Sequence, residues 1–379
     1  MRILHTSDLH LGIQLYGTSL LEYQKIMLDS LCDIAVSEKA DAVIISGDIF
    51  DRAIPSAQAV SLWSNFSAKL CGELGIKAFV IAGNHDGGVR LSSCCELLST
   101  SGLYISGTLS DGVRCVRCGN AVIHLLPYFT ADDVRAHVPD AEITSYRDAF
   151  ETMLKETEDN IDEDAYNILI THCFVSGAQT SDSERSVISG GIDSLAPEMF
   201  DRFDYTAAGH LHRRQTLGKV RYSGTPLCCS FSEAAHNKTV TLIDTESGEI
   251  TDIEMPQPYT LRTLHGSMDE ITESGRCDDY IRAEITSGYQ GYKSLELLRE
   301  IFPNLMCISV EKSDTVVTEL DGAFSAGSKA LTPAKLLERY AKDTGLEYDD
   351  ELMKWFCESA EKAETQQITA EFSAKEDAK

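Results

Sequence analysis

No stretch of this sequence reaches the roughly eighteen consecutive apolar residues that a membrane-spanning helix needs, so no membrane association is expected. The first ten residues, Met1 to His10, contain one arginine and then polar groups. No apolar run or cleavage signal follows, so secretion is not expected and the cytoplasm is the expected compartment. Basic charge is scarce: 33 Lys and Arg stand against 60 Asp and Glu, a net charge of -27. A free-standing DNA binder normally carries a basic footprint that displaces counterions from phosphates, and this surface should repel a polyanion. Either the substrate is a small molecule, or bound cations and a basic partner subunit supply the missing attraction. Internal repeats are absent, and so are low-complexity tracts other than the charged tail after Ala360.

The twelve cysteines lack a framework pattern. They are scattered, include the adjacent pairs Cys94-Cys95 and Cys228-Cys229, and read as reduced thiols. Cys115 and Cys118 form one CxxC with no second pair of matching spacing, which argues against a structural zinc site.

What is present is an ordinary globular balance, 43% hydrophobic and 25% charged, in 379 residues, enough for one large domain and one or two smaller ones. Short β-rich runs alternate with amphipathic ones from the start. Arg2 to Thr6, Ala42 to Ser46 and Lys77 to Ile81 read as strands. Leu20 to Val36 and a segment after Pro55, with Ala57, Val60, Trp63, Phe66 and Leu70 at helical spacing, read as helices. Further strands are expected at Ala121 to Leu126, Asn167 to Thr171, Tyr205 to Ala208, Val220 to Ser223 and Thr239 to Ile243.

An α/β domain over 1–255 is therefore expected, with Pro256 and Pro258 at its boundary. A small α/β segment over 256–328 follows, with strands at Tyr280 to Ile285 and Met306 to Val310 around the helix Ser294 to Ile301. The last part, 329–379, opens with Thr332 and Pro333 as a helix start, an apolar stripe of Leu336, Leu337 and Tyr340, and Gly345 as a stop. A second helix is expected from Asp349, carrying Leu352, Met353, Trp355 and Phe356. That cluster reads as core packing or as a docking surface.

Metal-binding side chains recur in loops at the ends of the expected strands. They are Asp8-Leu9-His10, Gly47-Asp48 with Asp51-Arg52, Gly83-Asn84-His85-Asp86, Thr171-His172, and Gly209-His210-Leu211-His212. Strand ends of an open α/β sheet converge at one rim, so residues distant in sequence can share a site. Five of the ten histidines fall in these loops, and the mix of carboxylate, imidazole and one amide suits Mn²⁺, Fe²⁺ or Zn²⁺. Alternation of side chains explains the two-residue spacing in DxH and HxH. Glycines 47, 83 and 209 fit a tight backbone turn, though ordinary turn punctuation accounts for them equally well. His5, His124, His137, His236 and His265 lie outside the motifs.

In this order, D-x-H, G-D-x-x-D-R, G-N-H-D, a lone His after a strand and G-H-x-H resemble the calcineurin-like metallophosphoesterase superfamily. Within it, Arg2 to Gly12 (RILHTSDLHLG), Gly47 to Arg52 (GDIFDR) and Arg221 to Glu233 (RYSGTPLCCSFSE) are similar to the SbcD branch, kin to the eukaryotic Mre-type break-repair nuclease.

The resemblance covers nearly the whole chain and implies a helix-flanked β-sandwich, a DNA-positioning cap and C-terminal helices that dock on a coiled-coil ATPase. It implies two divalent ions, Mn²⁺ expected, one held by Asp8, His10, Asp48 and His212 and the other by Asp48, Asn84, His172 and His210. His85 matches the family's catalytic histidine, with Asp51 as its carboxylate partner. The implied activity is cleavage of DNA by a homodimer joined to two ATPase subunits. Gly87 and Gly88 stand where the family often has Ser and Pro, and Thr225 replaces a common Ser, which touches DNA positioning rather than the metal site. Arg52, Arg90, Arg185, Arg213 and Arg214 are candidates for backbone phosphate contacts, or for salt bridges on an acidic surface. Action on a small phosphodiester or a phosphoprotein, and a non-catalytic scaffold, are the competing expectations.

Overall fold

The structure is a computed structural model that describes residues 1–109, 112–181, 194–311, 349 and 352–355. The chain forms two compact units. The first contains Met1–Leu264 with Asp278–Arg282 and Asn304–Cys307; the second contains His265–Cys277, Ala283–Pro303 and the described residues from Ile308 onward.

Strands of the first unit are β1 (Arg2–Thr6), β2 (Gln14–Leu15), β3 (Thr18–Ser19), β4 (Ala42–Ser46), β5 (Lys77–Ile81), β6 (Leu103–Ser106) and β7 (Arg114–Cys118). They continue with β8 (Ala121–Leu125), β9 (Tyr166–His172), β10 (Tyr205–Gly209), β11 (Gln215–Leu217), β12 (Val220–Tyr222), β13 (Thr239–Asp244) and β14 (Ile250–Glu254). Two mixed six-stranded sheets result, ordered β14-β13-β1-β4-β5-β6 and β11-β12-β10-β9-β8-β7.

In each sheet the central strands are parallel; β13 runs antiparallel to β1 and β7 to β8, while the edge strand β6 is parallel to β5. The two sheets share an apolar core: Ile3, Ile44, Phe79 and Ile81 come from the first, and Ile123, Ile168, Ile170 and Ala207 from the second. Helices Leu21–Ser37 and Ala57–Ser67 cover the outer face of the first sheet through Met27, Leu31, Trp63 and Phe66. Helix Tyr146–Glu158 covers the second through Phe150 and Met153. Burial on both faces explains why β1, β4 and β9 read as continuous apolar runs. The helix-flanked α/β sandwich expected from the sequence is what the chain adopts.

Two local expectations change. Val60 is exposed, and Ala59 takes its place on the buried stripe with Trp63 and Phe66. The helix also widens at Ala68–Glu73 into a π-helical turn, which carries Leu70 into the core. The CxxC pair does not form a site: Cys118 points into the core between the sheets, while Cys115 is exposed and contacts His124 at 3.2 Å on the opposite face. All eleven cysteines among the described residues are free thiols.

Beyond β14, strands β15 (Leu261–Gly266), β16 (Tyr280–Ile285) and β17 (Leu305–Val310) form a three-stranded sheet. The second unit carries helix Met268–Glu273, started by a capping box of Ser267 and Glu270, and helix Tyr292–Ile301. Asp349 accepts a hydrogen bond from the Leu352 N–H at 2.9 Å and so caps the helical turn over 352–355. Thr332, Pro333, Leu336, Leu337, Tyr340, Gly345 and Phe356 lie outside the described residues, as does Arg185. No helix among the described residues is long and apolar enough to cross a membrane.

Candidate metal centre and active site

All five loops singled out in the sequence follow the carboxyl ends of central strands. Asp8 and His10 follow β1, Asp48 follows β4, Asn84 and His85 follow β5, His172 closes β9, and His210 and His212 follow β10. Three of these strands belong to one sheet and two to the other, so the site forms where the two sheets meet at one rim.

The backbone there is tightly constrained. Asp8, His10 and Asp48 occupy the left-handed region, at φ of 54°, 43° and 50°. Such conformations cost on the order of 1–3 kcal/mol each and persist only where the surroundings impose them. Gln24 supplies part of that constraint. It is buried on the first long helix, its side-chain amide donates to the Leu9 and His10 carbonyls at 3.1 and 2.8 Å, and it accepts from Gly12 N–H at 2.9 Å.

Asp86 supplies another part. Its carboxylate accepts the main-chain N–H groups of Ile49, Phe50 and Gly83 at 3.1, 2.9 and 2.9 Å, stitching the Asp48 loop to the Asn84 loop. Burial, reinforced by nearby Asp48, pushes the Asp86 carboxyl up to about 7.

Two glycines are required by close approach. A Cβ on Gly209 would lie 1.9 Å from the Ser46 carbonyl oxygen, and one on Gly47 would lie 2.4 Å from His172 Nδ1. The strands β4 and β10 therefore touch through bare backbone. Gly209→Ala is expected to destabilise the fold by about 1–3 kcal/mol through overpacking, measurable as a lower urea midpoint. An unchanged midpoint would show that the sheets can separate there without cost.

The side chains converge. His10 Nε2 and His212 Nε2 are 3.2 Å apart, and His10 Nε2 lies 3.7 Å from Asp48 Oδ2. His172 Nε2 is 3.4 Å from Asp48 Oδ2 and 2.9 Å from Asn84 Oδ1, while His210 Nδ1 is 3.1 Å from the same Asn84 oxygen. Asp8 accepts the His210 main-chain N–H at 3.0 Å.

Donor atoms of Asp8, His10 and His212 lie within 4.8 Å of one another, as do those of Asp8, Asp48 and His172. Two donors each about 2.1 Å from one ion and set at roughly 90–110° stand about 3.0–3.4 Å apart. The donor separations at His10, His212, His172 and His210 match the edges of such coordination shells. His10 Nδ1 is buried without a hydrogen-bond partner, and the carboxylates of Asp8 and Asp48 are buried with it. The donor set suits divalent metal binding.

At His10 and His210 the protonation states fit the same reading. Burial lowers His10 and His210 to about 3, so both imidazoles are neutral at pH 7, the form that binds a metal. Burial works against charge on His172, yet the Asp48 carboxylate beside it raises the imidazole to about 9. Burial would likewise raise Asp48, but His172 holds it well below the usual carboxylate range. Asp8, buried among these groups, is raised.

Each of two candidate ligands is held from its far side. His172 Nδ1 donates to the Ser46 carbonyl at 2.8 Å, and His212 Nδ1 donates to Glu233 Oε1 at 2.9 Å, leaving Nε2 of each for an ion.

His85 stands beside these donors. Its main-chain N–H donates to Asp48 Oδ1 at 2.9 Å, and its ring packs edge-on against His10 with centroids 4.9 Å apart. The sequence suggested the Asp51 carboxylate as its partner, but Nδ1 instead donates to the Asp51 main-chain carbonyl at 2.9 Å, and the carboxylate pairs with Arg52 Nε at 3.3 Å. The Asp51 carboxylate nevertheless remains in a group with His10 and His85 whose donor atoms lie within 4.8 Å of one another.

Arg52 and Arg90 are both exposed, Arg90 on the short helix Gly88–Leu91. Arg214 is tied to Asp252 at 2.9 Å, the salt-bridge outcome. Sequence reasoning gave no role to Gln24, Asp86, Glu233 or Lys238. Asp86 and Glu233 lie within the quoted motifs, but nothing in a motif shows that their partners are backbone amides or a ligand's far nitrogen.

An α/β sandwich whose strand ends gather such a donor set defines a metal-dependent phosphodiesterase, and residues 1–214, more than half of the chain, match the family described as calcineurin-like phosphoesterase. The chain belongs to that family. It is 30% identical over 318 residues to the SbcD subunit of the SbcCD nuclease of Staphylococcus epidermidis, covering 82% of this chain and 85% of that protein. Among solved structures, TT1561 of Thermus thermophilus aligns with 67% of this chain and 99% of its own at 16% identity, with a TM-score of 0.41. Yfce, a phosphoesterase from E. coli, aligns with 68% of this chain and 100% of its own at 10% identity, with a TM-score of 0.28.

Proposed function

We propose that this chain is a Mn²⁺-dependent DNA nuclease, a double-strand 3′–5′ exonuclease and single-strand or hairpin endonuclease. In this reading it works in the cytoplasm with an SbcC-type coiled-coil ATPase in break processing, repair and recombination. The observation that carries it is the meeting of seven donor side chains from both sheets, at ligand-to-ligand spacings, with His85 beside them. The similarity to an SbcD nuclease subunit over most of both chains supports DNA as substrate and the ATPase as partner.

In this reading one ion would be held by Asp8, His10, Asp48 and His212, and the other by Asp48, Asn84, His172 and His210. When bound, two divalent cations supply Lewis acidity toward a phosphodiester and make water a competent nucleophile near neutral pH. Asp48 Oδ2 lies near both His10 and His172, and Asp8 is common to both buried donor groups. With Nδ1 committed to the Asp51 carbonyl, His85 keeps Nε2 for a proton that stabilises the phosphoryl oxygens or goes to the departing sugar oxygen.

Arg52 and Arg90 extend from exposed positions to hold the strand backbone. The segment over 256–328 positions DNA, and the helices over 329–379 dock on the ATPase in an assembly of two copies of each subunit. Bound cations and a basic partner then offset the net charge of -27.

The test is a substrate panel with Mn²⁺ and with chelator. Linear duplex and hairpin DNA should be degraded only with metal. Activity confined to cyclic nucleotides or phosphopeptides, the outcome that the acidic surface favours, would replace this reading with the small-substrate one. Asp51→Asn should keep the main-chain bond to His85 and lose much less activity than a His85 variant. An equal loss would restore the carboxylate as the acting group.

A further inference from the structure

Two ligands of the centre are oriented by different means. His172 is held by a neutral main-chain carbonyl, whereas His212 is held by a carboxylate that is itself part of a buried ion pair. Glu233 is fully buried (0%) and Lys238 nearly so (2%), and Lys238 Nζ donates to Glu233 Oε2 at 2.7 Å. Their surroundings complete the pair. Lys238 also donates to Thr225 Oγ1 at 2.5 Å and to the His212 carbonyl at 3.4 Å. Thr225 donates to Glu233 Oε2 at 3.2 Å, and so does Cys229 N–H at 3.4 Å.

One oxygen of Glu233 therefore meets the lysine, a hydroxyl and an amide, while the other meets His212. A carboxylate taken out of water costs several kcal/mol unless it is paired and hydrogen-bonded, and this one is both. The same constellation ties together the loop after β10, the turn at Thr225, the short 3-10 helix Phe231–Glu233 and the approach to β13.

We infer that Glu233 and Lys238 are a charge-balanced positioning pair that locks His212 as its Nδ1–H tautomer and so sets the affinity of one of the two metal positions. This rests on the two-metal reading above and adds to it residues that touch neither substrate nor ion. Glu233 acts through His212 by fixing ring orientation and raising the donor strength of Nε2. Lys238 acts through Glu233: it keeps the carboxylate ionised and aimed. Thr225 supplies the hydroxyl that joins the two. Among the described contacts the pair reaches the His10–His212 side. His172 and His210, on the other side, have no carboxylate behind them in any contact described above, so removing the pair should weaken one metal equivalent and spare the other.

The test uses the full chain and Mn²⁺ itself, with calorimetric titration and ¹⁵N NMR of the imidazoles, so DNA cleavage is not the readout. Glu233→Met with Lys238→Met replaces both charges by side chains of similar volume, which keeps the core filled where Glu233→Ala alone would strand a buried ammonium. The double variant should unfold cooperatively, bind one Mn²⁺ equivalent as the wild type does, and bind the other about 10–100-fold more weakly. His212 should then populate both neutral tautomers in the metal-free protein. Glu233→Gln, which keeps an acceptor for Nδ1, should recover part of that loss.

Two equivalents bound by the double variant with wild-type affinity, or a His212 tautomer that does not change, would overturn the positioning role while leaving the two-metal reading intact. Equal weakening of both equivalents would show a general structural role instead. A wild-type chain that binds no Mn²⁺ would sink both readings.

Discussion

His85→Gln should leave divalent metal binding at the wild-type level and slow phosphodiester cleavage by about 10²–10⁴-fold, the range for loss of a positioned proton donor. The ring's one described hydrogen bond, from Nδ1 to the Asp51 carbonyl, fixes its orientation without drawing it into the close donor pairs made by His10, His172, His210 and His212. The contact from His85 to Asp48 runs through the main-chain N–H, which Gln retains. Binding should therefore survive and catalysis should not.

Parallel metal titrations and single-turnover cleavage of a labelled duplex separate the two effects. Because His85 also lies in a group with His10 and Asp51 at ligand-like range, a fall in metal affinity alongside activity would move it into the ligand set.

Asp48→Asn should do the opposite and remove metal binding first. Asp48 Oδ2 is the carboxylate oxygen near both His10 and His172, at 3.7 and 3.4 Å, and Oδ1 anchors the loop that carries Asn84 and His85. The amide keeps the shape but gives up the charge that holds His172 up at about 9 and that would balance two dications. Loss of an outer hydrogen-bond partner typically weakens metal binding about 10–100-fold, and loss of a carboxylate shared by both positions should exceed that. Cleavage should fall to background even at millimolar Mn²⁺. Near-normal binding of both equivalents would mean that Asp8, the carboxylate common to the two buried groups, does the bridging.

The fold was most legible where burial is complete. The cores of β1, β4, β5, β9 and β10 stand out as short apolar runs because both faces of each sheet are covered. Edge strands β7 and β14 are not legible in the same way. In β7, exposed Cys115 and Arg117 alternate with half-buried Arg114 and Val116, and β14 is mostly exposed, so neither shows the apolar signal on which strand reading depends.

Helices Ala131–His137 and Tyr146–Glu158 also carry a weak sequence signal. Their capping boxes use Asp133 and Asp148 in place of the Glu or Gln that marks such a start in sequence. The donor residues of the site were legible because each sits beside a strand end within a compact motif. What surrounds them was not. Glu233 and Lys238 are one acidic and one basic residue among many, and only folding makes them a buried pair behind His212. The Asp51 contact runs through a carbonyl, which every residue has, so no side-chain pattern could announce it.

Anomalous diffraction from crystals of the full chain grown with Mn²⁺ tests the centre most directly. Two peaks should appear at the rim where β1, β4 and β5 face β9 and β10, one between His10 and His212, the other between His172 and His210, with Asp48 reaching both. A single peak, or two placed away from these side chains, would contradict the account.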